Sequence, residues 1–535
     1  MSRFAAVAAF LLLLVSPGGT SALAAPDAPA TSSSAIPLWG TLEPGPHAVG
    51  FQVIETFDDS RSWRPERAPD GRVIPGPSAR PVRISVWYPA GAAGPAPMRY
   101  GDYVHIAGSG VFGELNAVLA QRELNLLRRI MRGRSAVAHL MRSPSAALRD
   151  APPATGRFPL IGYTPGLNAY LQHGNFVLCE YLASHGYVVV TVPQLGTTSM
   201  RLEFGIDPVS LETQMRDTEF ALAAVRRLPF ADQDKVALIG HSMGGVSSVI
   251  SAMRDSRVDA VVGLDASNGA RQLAPTLTGS AFYTVRNLRV PWLDLRRAAN
   301  DELDSSSLSA LEHADRYQLL FSGVAHSDFT SFPMIAMNFP TDIAGRTPAH
   351  ASRVYELVAR TLLAFLDATF ATHGDIDQAL RAAAAPETHA GLVEQFVHLP
   401  PRPVPLSGEE LAFLIARDGL AATLAARPHA ADKALLNAAG YRLLEWQRMD
   451  RAIETFRRNV RLHPGDSNLL DSLAEGYLSA GRLREAAAAY RDVLQASPGD
   501  RSLDESSREA LRSNAQAKLS LIAEMRSWNA TPAPR

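Results

Sequence analysis

The sequence predicts an α/β protein, a doubly wound and mostly parallel sheet, followed by a smaller all-α unit of repeated helices. Three observations carry this. Short β-branched and apolar runs alternate with helix-length amphipathic stretches from residue 82 to residue 370. Midway along lies the corner Gly240-His241-Ser242-Met243-Gly244, with a buried-strand run before it and a helix-compatible run after it. Towards the C-terminus, proline recurs 34 residues apart, at Pro464 and Pro498, within leucine- and alanine-rich helical text.

Composition sets the bounds. A chain of 535 residues exceeds one core, and hydrophobic residues at 46% with charged residues at 20% supply material for two or three globular units. Lys plus Arg is 52 and Asp plus Glu is 53, so no overall field attracts nucleic acid or anionic lipid. Cys179 is the single cysteine, which excludes an intramolecular disulfide; its apolar neighbours in FVLCEYL predict a packed thiol.

Residues 1–25 combine Arg3, an apolar run to Val15, a Pro-Gly-Gly break and small residues at Ala22 and Ala24. This is the pattern of a secretory signal peptide, and the run is too short and wrongly flanked for a spanning helix. The expectation is an exported chain, periplasmic or secreted, with no transmembrane span once matured. A small-residue tether, Pro26 to Ser34, follows.

The α/β body is expected over residues 36–372. His47 to Glu55 and Val82 to Tyr88 alternate β-branched and aromatic residues, as the first antiparallel strands of a sheet would. Residues 100–149 show apolar residues at helical spacing with interspersed arginines, and are read as a helical insertion that covers a cleft or pads the sheet. Phe158 to Thr164 is a strand, Gly174 to His185 a helix and Tyr187 to Val192 a strand. Asp207 to Leu228 is a helix, and Val236 to Ile239 the strand entering the serine corner, with Gly240 beginning the exit from it. Asp259 to Leu264, Val290 to Leu295 and Tyr317 to Phe321 complete the strands, the last being the final one. Ser352 to Phe370 is an amphipathic closing helix.

Residues 373–406, rich in alanine and proline and ending in LPPRPVP, read as a linker. Ser407 and Glu410 make a capping box for a new helix, and residues 407–528 form the helical unit. At the 34-residue tetratricopeptide period, Leu470, Leu473, Ala474, Tyr477, Ala486, Tyr490, Val493 and Pro498 occupy the large, small and helix-ending slots. Leu436, Ala439, Gly440, Leu443, Ala452, Phe456, Asn459 and Pro464 repeat them. Flanking helices, Gly408 to Ala426 and Asp504 to Trp528, complete the stack. Such a stack offers a concave surface to a protein or peptide partner, or serves as a structural or dimerising cap.

The chemistry centres on Ser242. In a G-x-S-x-G elbow the serine occupies a strained strand-to-helix corner, and glycine is needed at Gly240 and Gly244, where a side chain would collide with neighbouring backbone. A serine nucleophile needs a base and a carboxylate, each on a loop after a strand, in the chain order serine, acid, histidine. Of the 14 histidines, only His326, in FSGVAHSDF, follows the last expected strand by a few residues. His313 precedes that strand, His350 lies on the closing helix, and His241 adjoins the nucleophile in an elbow that directs adjacent side chains apart. Two acids end strands at the right sheet edge, Asp265 and Asp294. No His, Cys, Asp and Glu cluster has metal-site spacing and no glycine pattern makes a nucleotide loop, so no metal or cofactor is expected.

The segments FPLIGYTPGLNAY, LASHGYVVVTV, VALIGHSMGG, AVVGLDAS and VAHSDFTSF resemble the platelet-activating-factor acetylhydrolase branch of the α/β-hydrolases, related to dienelactone hydrolases. The resemblance spans most of Val82 to Phe332. It implies an α/β-hydrolase fold, an acid directly after the strand following the nucleophile strand, hence Asp265 with Asp294 as the alternative, and an oxyanion hole from the backbone N–H groups of Leu167 and Met243. A His-Gly pair usual in that family is replaced here by Pro165-Gly166. The implied activity is hydrolysis of a small-molecule or lipid carboxylic ester with a short acyl chain. Polyester, lactone or amide hydrolysis is the alternative within enzymes, and a non-catalytic interaction protein acting through the helical repeats is the alternative outside them.

Overall fold

The computed structural model describes residues 38–63, 70–72, 79–91, 96–166, 173–198, 206–270, 273–298, 309–341, 347–385 and 391–530. Residues 1–25, where the sequence pattern suggests a signal peptide, and Leu167 lie outside the described residues. The chain divides into two compact units, the first reaching Arg402 and the second running from Pro403.

In the first unit the chain runs through β1 (Ala48–Ser62), β2 (Ala79–Ala90), β3 (Pro97–Arg99), α1 (Tyr100–Val104), α2 (Gly110–Ile130), α3 (Arg134–Arg142) and β4 (Pro144–Arg149). It continues through β5 (Phe158–Thr164), α4 (Phe176–Ser184), β6 (Val188–Thr191), α5 (Pro208–Val225), β7 (Ala231–His241), α6 (Met243–Arg254), β8 (Ala260–Leu264) and α7 (Ala274–Gly279). The last elements are β9 (Trp292–Arg297), β10 (Arg316–Phe321), α8 (Phe332–Asn338), α9 (Pro348–Phe370), α10 (Ile376–Ala383) and β11 (Val393–Leu399).

The strands form one sheet in the order β11-β10-β9-β8-β7-β5-β6-β2-β1-β4-β3. From β6 to β10 every pairing is parallel. β2 joins β6 antiparallel and β1 joins β2 antiparallel. Side chains alternate along each central strand, and the two faces feed separate cores. Ile161, Ile239, Val262, Leu293 and Leu319 pack with Phe176 of α4 and Leu362 and Phe365 of α9. Their sequence neighbours Leu160, Leu238, Val261 and Trp292 pack on the other face with Leu222, Val225, Val249 and Met253 of α5 and α6. This is the doubly wound, mostly parallel architecture the alternating runs predict.

Two stretches differ from the expectation. Residues 100–149 are not wholly helical: their last six form β4, which pairs in parallel with β1 through Val49 and Ala147. Small residues at Ala146 and Ala147 carry little strand signal, so only the tertiary pairing reveals it. Tyr100 donates to Glu123 (2.6 Å) within this insertion, and Tyr103, which accepts from Trp87 of β2 (2.9 Å) and donates to Glu180 of α4 (2.7 Å), ties it to the sheet. Residues 373–406 are not a plain linker either. They contain α10 and β11, and β11 pairs antiparallel along the whole of β10, so Tyr317 to Phe321 is not the last strand. His398 of β11 lies between Asp315 (2.8 Å) and Asp377 (3.1 Å), a polar tie that alanine- and proline-rich composition hides.

The second unit is helical. α11 (Gly408–Asp418) opens with the Ser407–Glu410 capping box and stops at Gly419, whose φ of 87° breaks it from α12 (Leu420–Ala426). Then come α13 (Lys433–Glu445), α14 (Met449–Leu462), α15 (Ser467–Ser479), α16 (Leu483–Ala496) and α17 (Glu505–Ala530). The pair α15–α16 starts 34 residues after the corresponding points of α13–α14. Asp432 and Asp466 cap the leading helices of the two pairs by accepting from the N–H groups of Leu435 and Leu469. Leu436, Ala439, Leu443, Phe456, Ala474, Tyr477, Ala486, Tyr490 and Val493 share one core.

Candidate active site

Ser242 stands between the end of β7 and the start of α6, with φ 56° and ψ −124°. For a residue with a Cβ this conformation costs about 1–3 kcal/mol, and packing on all sides holds it there. A Cβ at Gly240 would overlap the Gly244 carbonyl, and one at Gly244 would overlap the Thr164 carbonyl, so α6 leaves the sheet closer than any other residue permits. The Ser242 N–H donates to Leu264 O at 3.1 Å, and the Ser242 carbonyl accepts from Gly245 (3.0 Å) and Ser267 (3.1 Å).

Asp265 directly follows β8, again with positive φ, at 44°. Its backbone N–H donates to Leu295 O at 2.7 Å, which anchors it to β9. The side chain is buried and its Oδ2 lies 2.6 Å from His326 Nδ1. Arg297, at the end of β9, donates from Nε to the same oxygen (2.7 Å) and from its backbone N–H to Oδ1 (3.1 Å). Burial alone would raise this carboxyl, but the hydrogen bond and charge of His326, then the charge and N–H of Arg297, outweigh it and hold Asp265 well below the usual carboxylate range.

His326 opens a short 3₁₀ turn, His326–Phe329, after β10. Asp328 fixes that turn by accepting the Ala325 N–H at 2.9 Å. The His326 ring also meets His241, with ring centroids 4.5 Å apart, and His241 Nε2–H donates to the His326 carbonyl at 3.0 Å. Burial, then the charge of His326, pushes the His241 imidazole down to about 3, so it is neutral at ordinary pH.

The structure therefore brings Ser242, Asp265, His326 and Met243 to one edge of the sheet and joins His326 to Asp265. Asp294 is not joined to that group. It is buried within β9, accepts from Gln318 Nε2 at 2.9 Å, and lies beside Arg296. Burial raises its carboxyl despite the Arg296 charge and the Gln318 bond. Met243 is the first residue of α6, packed with Leu211, Met215, Leu273 and Leu277. His313 bonds the Arg402 carbonyl and His350 the Ser322 carbonyl, both away from Ser242.

Sequence reasoning missed two neighbours. An elbow directs His241 away from the nucleophile, yet the His326 turn meets it through the ring contact and the carbonyl hydrogen bond. Arg297 gives a faint signal in sequence, as a charge just past the apolar run of a strand. Among the described residues no group of three or more His, Cys, Asp and Glu is arranged to hold a metal ion. Among them, too, no helix is long and apolar enough to cross a membrane.

A parallel sheet crossed antiparallel at β2, with a strained serine between its central strand and the next helix, decides the architecture. The first unit has an α/β-hydrolase fold. A family model described as Chlorophyllase matches residues 128–282 of this unit, a span that includes Ser242 and Asp265. A ferulic acid esterase from Streptomyces cinnamoneus matches with a TM-score of 0.43 at 21% identity, over 60% of this chain and 90% of that one. No curated protein matches the chain.

Proposed function

We propose that the chain is a serine hydrolase of carboxylic esters in which Ser242 is the nucleophile, His326 the general base and Asp265 the acid that orients it. The observation that carries this is the 2.6 Å bond between Asp265 and His326 Nδ1, alongside a serine strained in a glycine-flanked elbow. With Nδ1–H given to the carboxylate, His326 Nε2 is the free base. Ser242 Oγ attacks the ester carbonyl as its proton passes to Nε2. The oxyanion is met by the Met243 N–H, at the start of α6, and by the Leu167 N–H. Collapse breaks the bond to the alcohol, which leaves with the proton from Nε2, and water repeats the cycle to release the acid.

The family model's overlap with the serine and acid segments supports an ester as substrate. A short acyl chain, as in platelet-activating-factor acetylhydrolases, is the finer reading, and residues 1–25 support export. The 34-residue helical pairs support a tetratricopeptide-like stack with a peptide or protein partner. A fluorophosphonate probe should label Ser242 in the wild-type chain and nothing in Ser242→Ala. A series of p-nitrophenyl esters from acetyl to octanoyl should then show falling kcat/KM with length; labelling without turnover of any ester would overturn the substrate class.

A further inference from the structure

Beside Ser242 lies a hydrogen-bonded clamp for which the roles above give no reason. The Pro165 carbonyl, at the end of β5, accepts from two buried glutamines of separate elements: Gln194 Nε2, in the loop after β6, at 2.7 Å, and Gln214 Nε2, on α5, at 3.0 Å. Two donors on one carbonyl occupy both of its lone pairs. A turn carbonyl needs one partner, or water, to be satisfied. The Gln194 Oε1 atom is buried with no partner, a cost the position carries in order to present its Nε2.

The clamp is itself held. Gln214 Oε1 accepts from the Ser247 hydroxyl on α6, and Ser247 Oγ also lies 3.3 Å from the Met243 carbonyl. One turn along α5, Asp217 takes Arg80 of β2 through two bonds of 2.7 and 2.6 Å. Arg80 in turn donates to the Gly196 (2.8 Å) and Thr197 (3.0 Å) carbonyls, just after Gln194. Both glutamines are thus pinned from behind.

What they hold is the peptide that touches the nucleophile. A Cβ on Gly166 would come within 2.9 Å of Ser242 Cβ and 3.0 Å of His241 Nδ1, so this residue rests on the elbow. The Pro165–Gly166 peptide is trans and planar, so pinning its carbonyl towards the glutamines turns the Gly166 N–H to the opposite side. We propose that Gln194 and Gln214 are positioning residues for acyl transfer at Ser242: they lock the Pro165–Gly166 peptide against the elbow, and through Ser247 the first turn of α6, so that the Met243 N–H stays aimed at the developing oxyanion. This rests on the serine-hydrolase reading above.

The test uses the full chain and the variants Gln194→Met and Gln214→Met, which keep side-chain length and remove the donor, with Ser247→Ala as a milder variant that deletes one hydroxyl. Hydrolysis of p-nitrophenyl acetate is measured per active site titrated with a fluorophosphonate, beside inhibition by an alkylboronic acid that mimics the tetrahedral state. Misplaced oxyanion donors should lower kcat about tenfold to a hundredfold in each glutamine variant. Boronate affinity should fall by the same factor, and KM should stay within about twofold, because the interaction is made in the transition state. Ser247→Ala should show the same pattern more weakly. Folded variants with wild-type kcat and boronate affinity per titrated site would overturn the proposal, as would losses that follow only the folded fraction. A wild-type chain inert to ester and probe would instead remove the hydrolase reading, and the proposal with it.

Discussion

In the first unit the tight glycines sit where backbones cross: Gly240 and Gly244 let α6 rise against β5 and β7, and the chain between them is driven into a left-handed turn at Ser242. In the helical unit Gly440 and Gly476 sit where helices meet a ring, both facing Phe456, with no such turn inside either helix. Buried charge divides the same way. Asp217, Asp265, Asp294, Asp328, Glu123, Glu180, Arg80 and Arg83 are all nearly inaccessible in the first unit. Among the described residues of the second, Asp500 is the acid buried to that degree, accepting from Ser467 and Ser502. The helical stack packs closely with little strain or buried charge, its exceptions being Asp500 and a positive φ at Gln447, in the loop between α13 and α14. In the first unit a strained backbone and a buried charge meet at Ser242 and Asp265, which is where the proposed chemistry would need them.

The strongest way to break this contrast is at Ser242. Ser242→Ala should lower ester turnover by about a million-fold while leaving the thermal midpoint nearly unchanged, because the hydroxyl contributes little packing. Substantial residual turnover would mean another nucleophile. Next come the two buried acids. Asp265→Asn should cost about ten-thousand-fold in turnover, since an amide holds the wrong imidazole tautomer. Asp294→Asn keeps an acceptor for Gln318 and should stay within roughly tenfold of wild type. A reversed order, in folded proteins, would move the acid to β9.

Stability sharpens the comparison further. Because β11 completes the sheet, a chain ending at Arg402 should keep ester hydrolysis within about twofold, whereas one ending at Ala385 strips the partner of β10 and should melt several degrees lower, by roughly 2 kcal/mol or more. Equal melting of the two would mean β11 adds nothing to the first unit. His241 offers a pH signature. Its folded-state value is about 3 against 6.5 for the free group, so below pH 6.5 the unfolded chain takes up a proton that the folded chain refuses. Stability should fall as pH drops from 6.5 towards 3, by up to about 3 kcal/mol at pH ~4 from this residue, and His241→Phe should flatten that slope in denaturant titrations. The smallest effect belongs to the helical unit. Gly440→Val forces a side chain into the Phe456 ring and should destabilise that unit by about 1–3 kcal/mol without changing ester turnover.

Much of this was legible from residue order. The central strands and α4 to α6 fall where β-branched runs and helical spacing put them, because these elements bury one or two whole faces and their patterns are dense. The α13 to α16 boundaries follow the 34-residue period because small and large residues alternate wherever two helices touch. What escaped depends on long-range contact. β4 is too small-residued, and β11 is masked by alanine and proline around it; each is a strand because a neighbour offers an unpaired edge. Local pattern likewise names Ser242 but gives only a faint sign of Arg297 and none of Gln194 and Gln214, whose relevance arises only when separate elements converge on one edge of the sheet. Asp265 and Asp294 show the limit best. In sequence both end an apolar run, but Asp294 sits within β9, and only the turn of backbone after β8, with its positive φ, carries Asp265 to His326.

The margins of the sheet also bear on how copies of the chain meet in concentrated solution. On one side the outermost strand is β3, three residues long and begun by Pro97, which has no N–H to offer a neighbour. On the other, β11 carries Glu394 and Gln395 with exposed side chains. A truncated proline-led strand and a charged one are poor templates for edge-to-edge pairing. Loss of β11 would leave the apolar β10 strand as the margin, so the chain ending at Ala385 is expected to aggregate at concentrations where the one ending at Arg402 does not.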